Sequence, residues 1–96
     1  MSEPVDVTAI FTPQEGEFTR VKLALDLAIE QVVQEPGCLR YEITEAQEDR
    51  IVLQERWEST EALDLHMRGP ALQDLGESLS ALLAAQPDVV RSDQPA

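Results

Sequence analysis

The sequence predicts an α+β fold of the ferredoxin-like kind, a four-stranded antiparallel sheet with helices on one face. The apolar period changes along the chain from two to three-and-four and back. It spells the order strand, helix, strand, strand, broken helix, strand. The two middle strands are joined by a short polar segment, as a hairpin requires. The chain of 96 residues has room for one core, because single domains run to roughly 100–150 residues. A single domain over 1–96 is expected, with an ordered core from about residue 4 to about residue 91.

Val5 to Thr12 is rich in β-formers, and Val5, Val7, Ala9 and Phe11 alternate onto one side of a strand. Pro13 to Gly16 breaks it. From Phe18 to Gln34 the period is helical. Phe18, Val21, Leu25, Ala28, Ile29 and Val32 form one stripe, with Arg20, Lys22, Asp26 and Glu30 largely elsewhere. Leu23 and Leu27 widen the apolar face toward a second contact. Glu35-Pro36-Gly37 ends the helix, since proline disfavours helix at the residue before it and glycine supplies a turn.

Cys38 to Glu45 and Ile51 to Trp57 read as the hairpin strands, with Ala46 to Arg50 as their loop. Pairing Glu45 with Ile51 sets Ile43 opposite Leu53, Tyr41 opposite Glu55 and Leu39 opposite Trp57. Leu39, Tyr41, Ile43, Leu53 and Trp57 then share an inner face. Arg40, Glu42, Thr44, Gln54 and Arg56 share an outer one, wet or covered by a partner. Ser59 or Thr60 suits an N-cap, with Glu61 in the first turn. Gly69-Pro70 interrupts this helix, and Leu72, Leu75, Leu79 and Leu82 carry the next one as far as Pro87. Asp88 to Arg91 predicts a short last strand, and Ser92 to Ala96 a frayed end.

Lys plus Arg number 7 and Asp plus Glu 19, a net charge of −12. That balance disfavours nucleic acid, whose phosphates need a basic surface, and an anionic membrane surface equally. Its plain reading is solubility. One cysteine cannot form an internal disulfide, and one histidine with one cysteine cannot supply a zinc site alone. Met1 to Pro4 is acidic and shows no leader, and no run approaches the ~18–20 apolar residues of a membrane span. A cytoplasmic location follows as the expectation.

Glycine-rich phosphate loops and nucleophile elbows are absent from the sequence. Cys38 reads as a buried structural thiol. The residues left to carry chemistry are Glu55, Trp57 and His66. Glu55 points a carboxylate into an apolar layer, which is costly unless it is hydrogen-bonded or protonated. The plain structural alternative bonds it to Tyr41 or to a backbone amide. His66 lies one helical turn after Ala62, so it faces the sheet if Ala62 does. Its side chain alone has an ordinary pKa near neutrality, which suits a proton carrier.

Two segments carry a family resemblance. Glu35-Pro36-Gly37-Cys38-Leu39-Arg40-Tyr41 resembles the E-P-G-C-x-x-Y opening of the second strand in the antibiotic biosynthesis monooxygenase family. Glu55 to His66 resembles that family's E-x-W-x-S-x-E-A-L-x-x-H run. The resemblance covers roughly Val5 to Val90. It implies a dimeric α+β barrel in which two protomers pack sheet against sheet, with a pocket in each between sheet and helices. It implies oxidation of a quinol or aromatic polyketide by O₂ with no cofactor and no metal. The substrate phenolate or enolate reduces O₂, while the protein binds, deprotonates and shields it. His66 or Glu55 would be the base, and Tyr41 and Trp57 would contact the aromatic substrate. Gly69-Pro70-Ala71-Leu72 stands where many relatives carry a second histidine. Gly76 falls near the axial histidine of the haem-degrading branch, which argues against haem degradation. A non-catalytic dimeric binding or accessory protein is the alternative on the same fold. An RNA-recognition module shares the element order, but its basic, aromatic strand pattern is missing.

Overall fold

A computed structural model of the chain describes residues 3–94. The elements are β1 (Val5–Phe11), α1 (Phe18–Val32), β2 (Cys38–Gln47), β3 (Arg50–Trp57), α2 (Thr60–Met67), α3 (Pro70–Leu79) and β4 (Asp88–Arg91). The sheet runs β2-β3-β1-β4, and every neighbouring pair is antiparallel. This is the expected ferredoxin-like α+β fold. Among the described residues no helix is long and apolar enough to cross a membrane.

The period-two residues of β1, namely Val5, Val7, Ala9 and Phe11, are all buried. They meet the helical stripe Val21, Leu25, Ala28 and Val32 of α1 in one core with Leu53, Leu63 and Leu75. Leu23 and Leu27 point away from that core, at 58% and 53% exposure. The N-cap of α2 is Ser59, whose Oγ accepts from the Ala62 N–H at 3.1 Å.

The hairpin departs from the expected register at both ends. Tyr41 does face Glu55 and Ile43 does face Leu53. Irregularities between Cys38 and Arg40 and between Ile43 and Glu45 then shift the pairing. Cys38 faces Trp57, Glu45 faces Val52 and Ala46 faces Ile51. A bulge adds one residue to one strand and turns the side chains beyond it. Leu39, expected inside, is therefore 56% exposed, and Cys38 packs against the core in its place. Pairing continues to Gln47 and Arg50, so the loop expected over Ala46 to Arg50 shrinks to Glu48 and Asp49. The outer face is less polar than expected, since alternation along the strands adds Ile10, Val52 and Val90 to it.

α3 ends at Leu79, well before Pro87. The chain turns there because the segment after β1 supplies other partners: Ala84 N–H donates to Thr12 O at 2.8 Å and Gln14 N–H to Leu82 O at 2.9 Å. Leu82 still packs on the core from beyond the helix. Ser92 is not frayed. Its N–H donates to Asp6 O, and its Oγ accepts from Asp6 N–H, both at 2.9 Å. The last part of the expected fray, Pro95-Ala96, lies outside the described residues, as do Met1 and Ser2 of the leader reading.

Candidate active site

The site is assembled by the turn after α1 and by the start of α2. Gly37 has φ +83°, and a Cβ there would lie 2.5 Å from Ala62 Cβ. Only glycine lets the turn press this close to α2. Glu58 N–H donates to Gly37 O at 2.9 Å and fastens the contact. His66, four residues after Ala62, projects from the same face of α2, where both are buried. The turn therefore delivers Glu35 to it, with Glu35 Oε1 2.9 Å from His66 Nδ1.

His66 is 3% exposed. Its ring stacks on Trp57 with centroids 4.5 Å apart and planes 25° apart, and Tyr41 meets it edge-on at 5.4 Å. On its other side, His66 Nε2 lies 3.9 Å from Glu55 Oε1, too far for a hydrogen bond. Glu55 Oε1 accepts instead from the Trp57 indole N–H at 3.0 Å. Its partner is thus neither Tyr41 nor a backbone amide.

A cavity of about 460 Å³ opens beside this cluster. Tyr41, Glu55, His66 and Arg91 line it among apolar walls that include Val7, Phe11, Leu53 and Leu75. Arg91 is held by Asp93 through two bonds of 3.0 and 2.8 Å, with Asp64 3.6 Å away. Burial pushes the Glu55 carboxyl up to about 7, against the Trp57 hydrogen bond and with help from the Glu35 charge. Burial pulls His66 below the usual imidazole value, while the hydrogen bond and charge of Glu35 pull it back up. Tyr41 is raised well above its ordinary value by burial and by the Glu55 and Glu35 charges. Cys38, half-buried, is raised chiefly by burial, so it is a poor thiolate.

The structure brings Tyr41, Glu55 and His66 together on the cavity wall. Trp57 is fully buried and lies behind His66, out of reach of the cavity. It stacks on His66 and donates to Glu55, and it is not part of the cavity wall where a substrate contact was expected of it. Glu35 and Arg91 are the site residues that sequence reasoning missed. The signal for Glu35 was present in the Glu-Pro-Gly-Cys run, which reads first as a helix stop. Among the described residues no group of His, Cys, Asp and Glu side chains could hold a metal ion. Glu35 and Glu55 approach opposite nitrogens of His66, so they share no point with it.

The fold and the site define a ferredoxin-like α+β protein with a buried acid–base cluster beside an apolar cavity. A profile of the antibiotic biosynthesis monooxygenase family matches residues 4–78, and the chain belongs to that family. Among solved structures it is similar to Rv0793 from Mycobacterium tuberculosis, at 29% identity and TM-score 0.87, covering 98% of this chain and 96% of that one. A Caulobacter crescentus protein, provisionally named as an antibiotic biosynthesis monooxygenase, is 24% identical with TM-score 0.83, covering 99% of this chain and 92% of that one. PA3566 from Pseudomonas aeruginosa is 21% identical with TM-score 0.85, covering 100% and 98%. The last two likenesses speak to the fold alone. No protein of curated function matches the sequence.

Proposed function

We propose that the protein is a cofactor-independent monooxygenase that oxidises a quinol or aromatic polyketide-like substrate with O₂. The observation that carries this reading is one apolar cavity whose wall holds an imidazole and a carboxyl of shifted pKa. An apolar cavity with few polar groups suits a flat aromatic ligand anchored by one or two oxygens.

In this reading His66 takes the proton of a substrate phenol or enol. The resulting anion gives one electron to O₂, and the radical pair recombines as a peroxide anion, which takes back the proton held by His66 and becomes a hydroperoxide. The hydroperoxide then loses water, made of its OH and the remaining hydrogen on that carbon, so that CH₂ plus O₂ becomes C=O plus H₂O. Glu55 is the alternative base, and its raised pKa also lets it donate to a substrate oxygen near neutrality. Tyr41 contacts the substrate ring, and Trp57 supports His66 from behind. No metal or cofactor takes part.

The 96 residues act as one domain and as a homodimer, joined through the outer sheet face in the manner the family implies. The single free cysteine suits a reducing, cytoplasmic setting.

Paired variants test the roles. If His66 is the base, His66→Ala lowers kcat on a quinol or anthrone by roughly 10²–10⁴-fold, and the rate falls on the acid side as the imidazole protonates. If Glu55→Gln loses turnover while His66→Ala keeps it, Glu55 is the base. Wild-type rates in both variants would remove both residues from the chemistry, leaving a pocket that acts by binding and desolvating a substrate that ionises by itself.

A further inference from the structure

We propose that Glu35 is the positioning residue of this site: it holds the His66 ring with the proton on Nδ1 and leaves the Nε2 lone pair free on the interior side. The inference deepens the reading above and rests on it for its use in turnover, though not for its geometry.

Glu35 Oε1 lies 2.9 Å from His66 Nδ1. A carboxylate oxygen accepts and does not donate, so Nδ1 must carry the hydrogen. A neutral imidazole has one N–H, which leaves Nε2 as the acceptor. Nε2 meets no competing donor from Glu55, whose Oε1 is 3.9 Å away and already accepts from Trp57. The ring cannot readily turn over to exchange its nitrogens, because Trp57 covers its face and Tyr41 its edge.

The backbone beneath Glu35 is as firmly held. Its N–H donates to Val32 O at 2.9 Å, its carbonyl accepts from Cys38 N–H at 3.2 Å, and Gly37 is pressed against Ala62. The charged and titratable groups around the ring are Glu35 from the turn, Tyr41 from β2 and Glu55 from β3. Arg91 of β4 lines the same cavity but is occupied by Asp93. Glu35 is thus the group placed to stabilise the imidazolium that forms when Nε2 takes a proton. It touches no substrate, being outside the cavity wall, and its side chain is 23% exposed.

The chain contains a single histidine, so nitrogen-15 NMR of the full-length labelled protein reads this ring without ambiguity. The expected result is a neutral His66 in the Nδ1–H form. Glu35→Gln keeps that form, because the amide carbonyl still accepts, but titrates lower by about one pH unit once the charge is gone. Glu35→Ala loses the Nδ1–H preference as well. An Nε2–H ring in the wild type would overturn the proposal. So would a tautomer and a titration midpoint that do not move in Glu35→Ala. The acid limb of kcat on a hydroquinone supplies the second readout: it moves to lower pH in Glu35→Gln. If the NMR results hold while the wild type turns over no quinol or anthrone, the monooxygenase reading fails and the placement of Glu35 stands.

Discussion

Glu55 is a carboxyl held where burial is costly. It is 7% exposed, yet its one buried partner is a neutral indole N–H. Its carboxyl is raised from an ordinary 4.5 to about 7, so the folded state binds its proton more tightly than the unfolded chain does. That contribution is therefore complete below the unfolded pKa and is lost as pH rises through about 7, at up to about 1.4 kcal/mol per pH unit. His66 acts in the opposite sense. Its pKa is lowered, so its contribution holds above the usual imidazole value and is lost as pH falls through the folded one. Urea unfolding at pH 5 and pH 8 separates the two. Glu55→Gln retains an acceptor for Trp57 and is expected to be more stable than wild type at pH 8, with little gain at pH 5. Equal effects at both pH values would mean that Glu55 is not held protonated by burial. The meeting of Tyr41 and Glu55 was legible in the sequence, because strand alternation places both on the apolar face. The Glu35–His66 contact was not. It joins residues 31 apart in sequence through a turn whose seat depends on how closely Gly37 approaches Ala62.

At the scale of elements, breakers and caps were readable and irregular pairing was not. Ser59 caps α2 and Pro36-Gly37 follows the end of α1, each for a local reason that a short window contains. The two irregularities in β2, and the early end of α3, depend on partners far along the chain: β3 in one case, Thr12 and Gln14 in the other. Gly37 and Gly16 make a direct comparison, because both have φ +83°. An added Cβ meets Ala62 and Glu58 at Gly37 but nothing within 4 Å at Gly16. Gly37→Ala is expected to cost about 2 kcal/mol or more, from backbone strain and overpacking together. Gly16→Ala should cost about 1 kcal/mol, from strain alone. Ser59→Ala should cost about 1 kcal/mol by removing the cap on Ala62 N–H. Denaturant midpoints check all three, and equal losses at the two glycines would refute the close approach of the turn to α2.

At the scale of the molecule, the order of elements fixed the ferredoxin-like topology before any contact was known, since each connection has few antiparallel solutions in so short a chain. What surrounds the chain is less legible. The outer sheet face holds the Asp6–Arg56 and Arg40–Glu42 pairs at 3.4 and 2.8 Å, the Thr8–Gln54 hydrogen bond at 3.0 Å in its middle, and Ile10 paired with Val52 beyond it. A face of mixed apolar and self-paired polar groups suits burial against a second copy. Light scattering at micromolar concentration is expected to give twice the chain mass of 10.7 kDa, and the chain mass alone would contradict the dimer. Oxygen transfer without a metal is tested most directly by isotope. Chelator-treated protein is given a hydroquinone or anthrone under ¹⁸O₂, and the product is weighed by mass spectrometry. One ¹⁸O atom is expected in each product, formed faster than in the protein-free control and slowed in His66→Ala. Product oxygen drawn from water, or turnover that returns only when a metal is restored, would contradict a cofactor-independent monooxygenase.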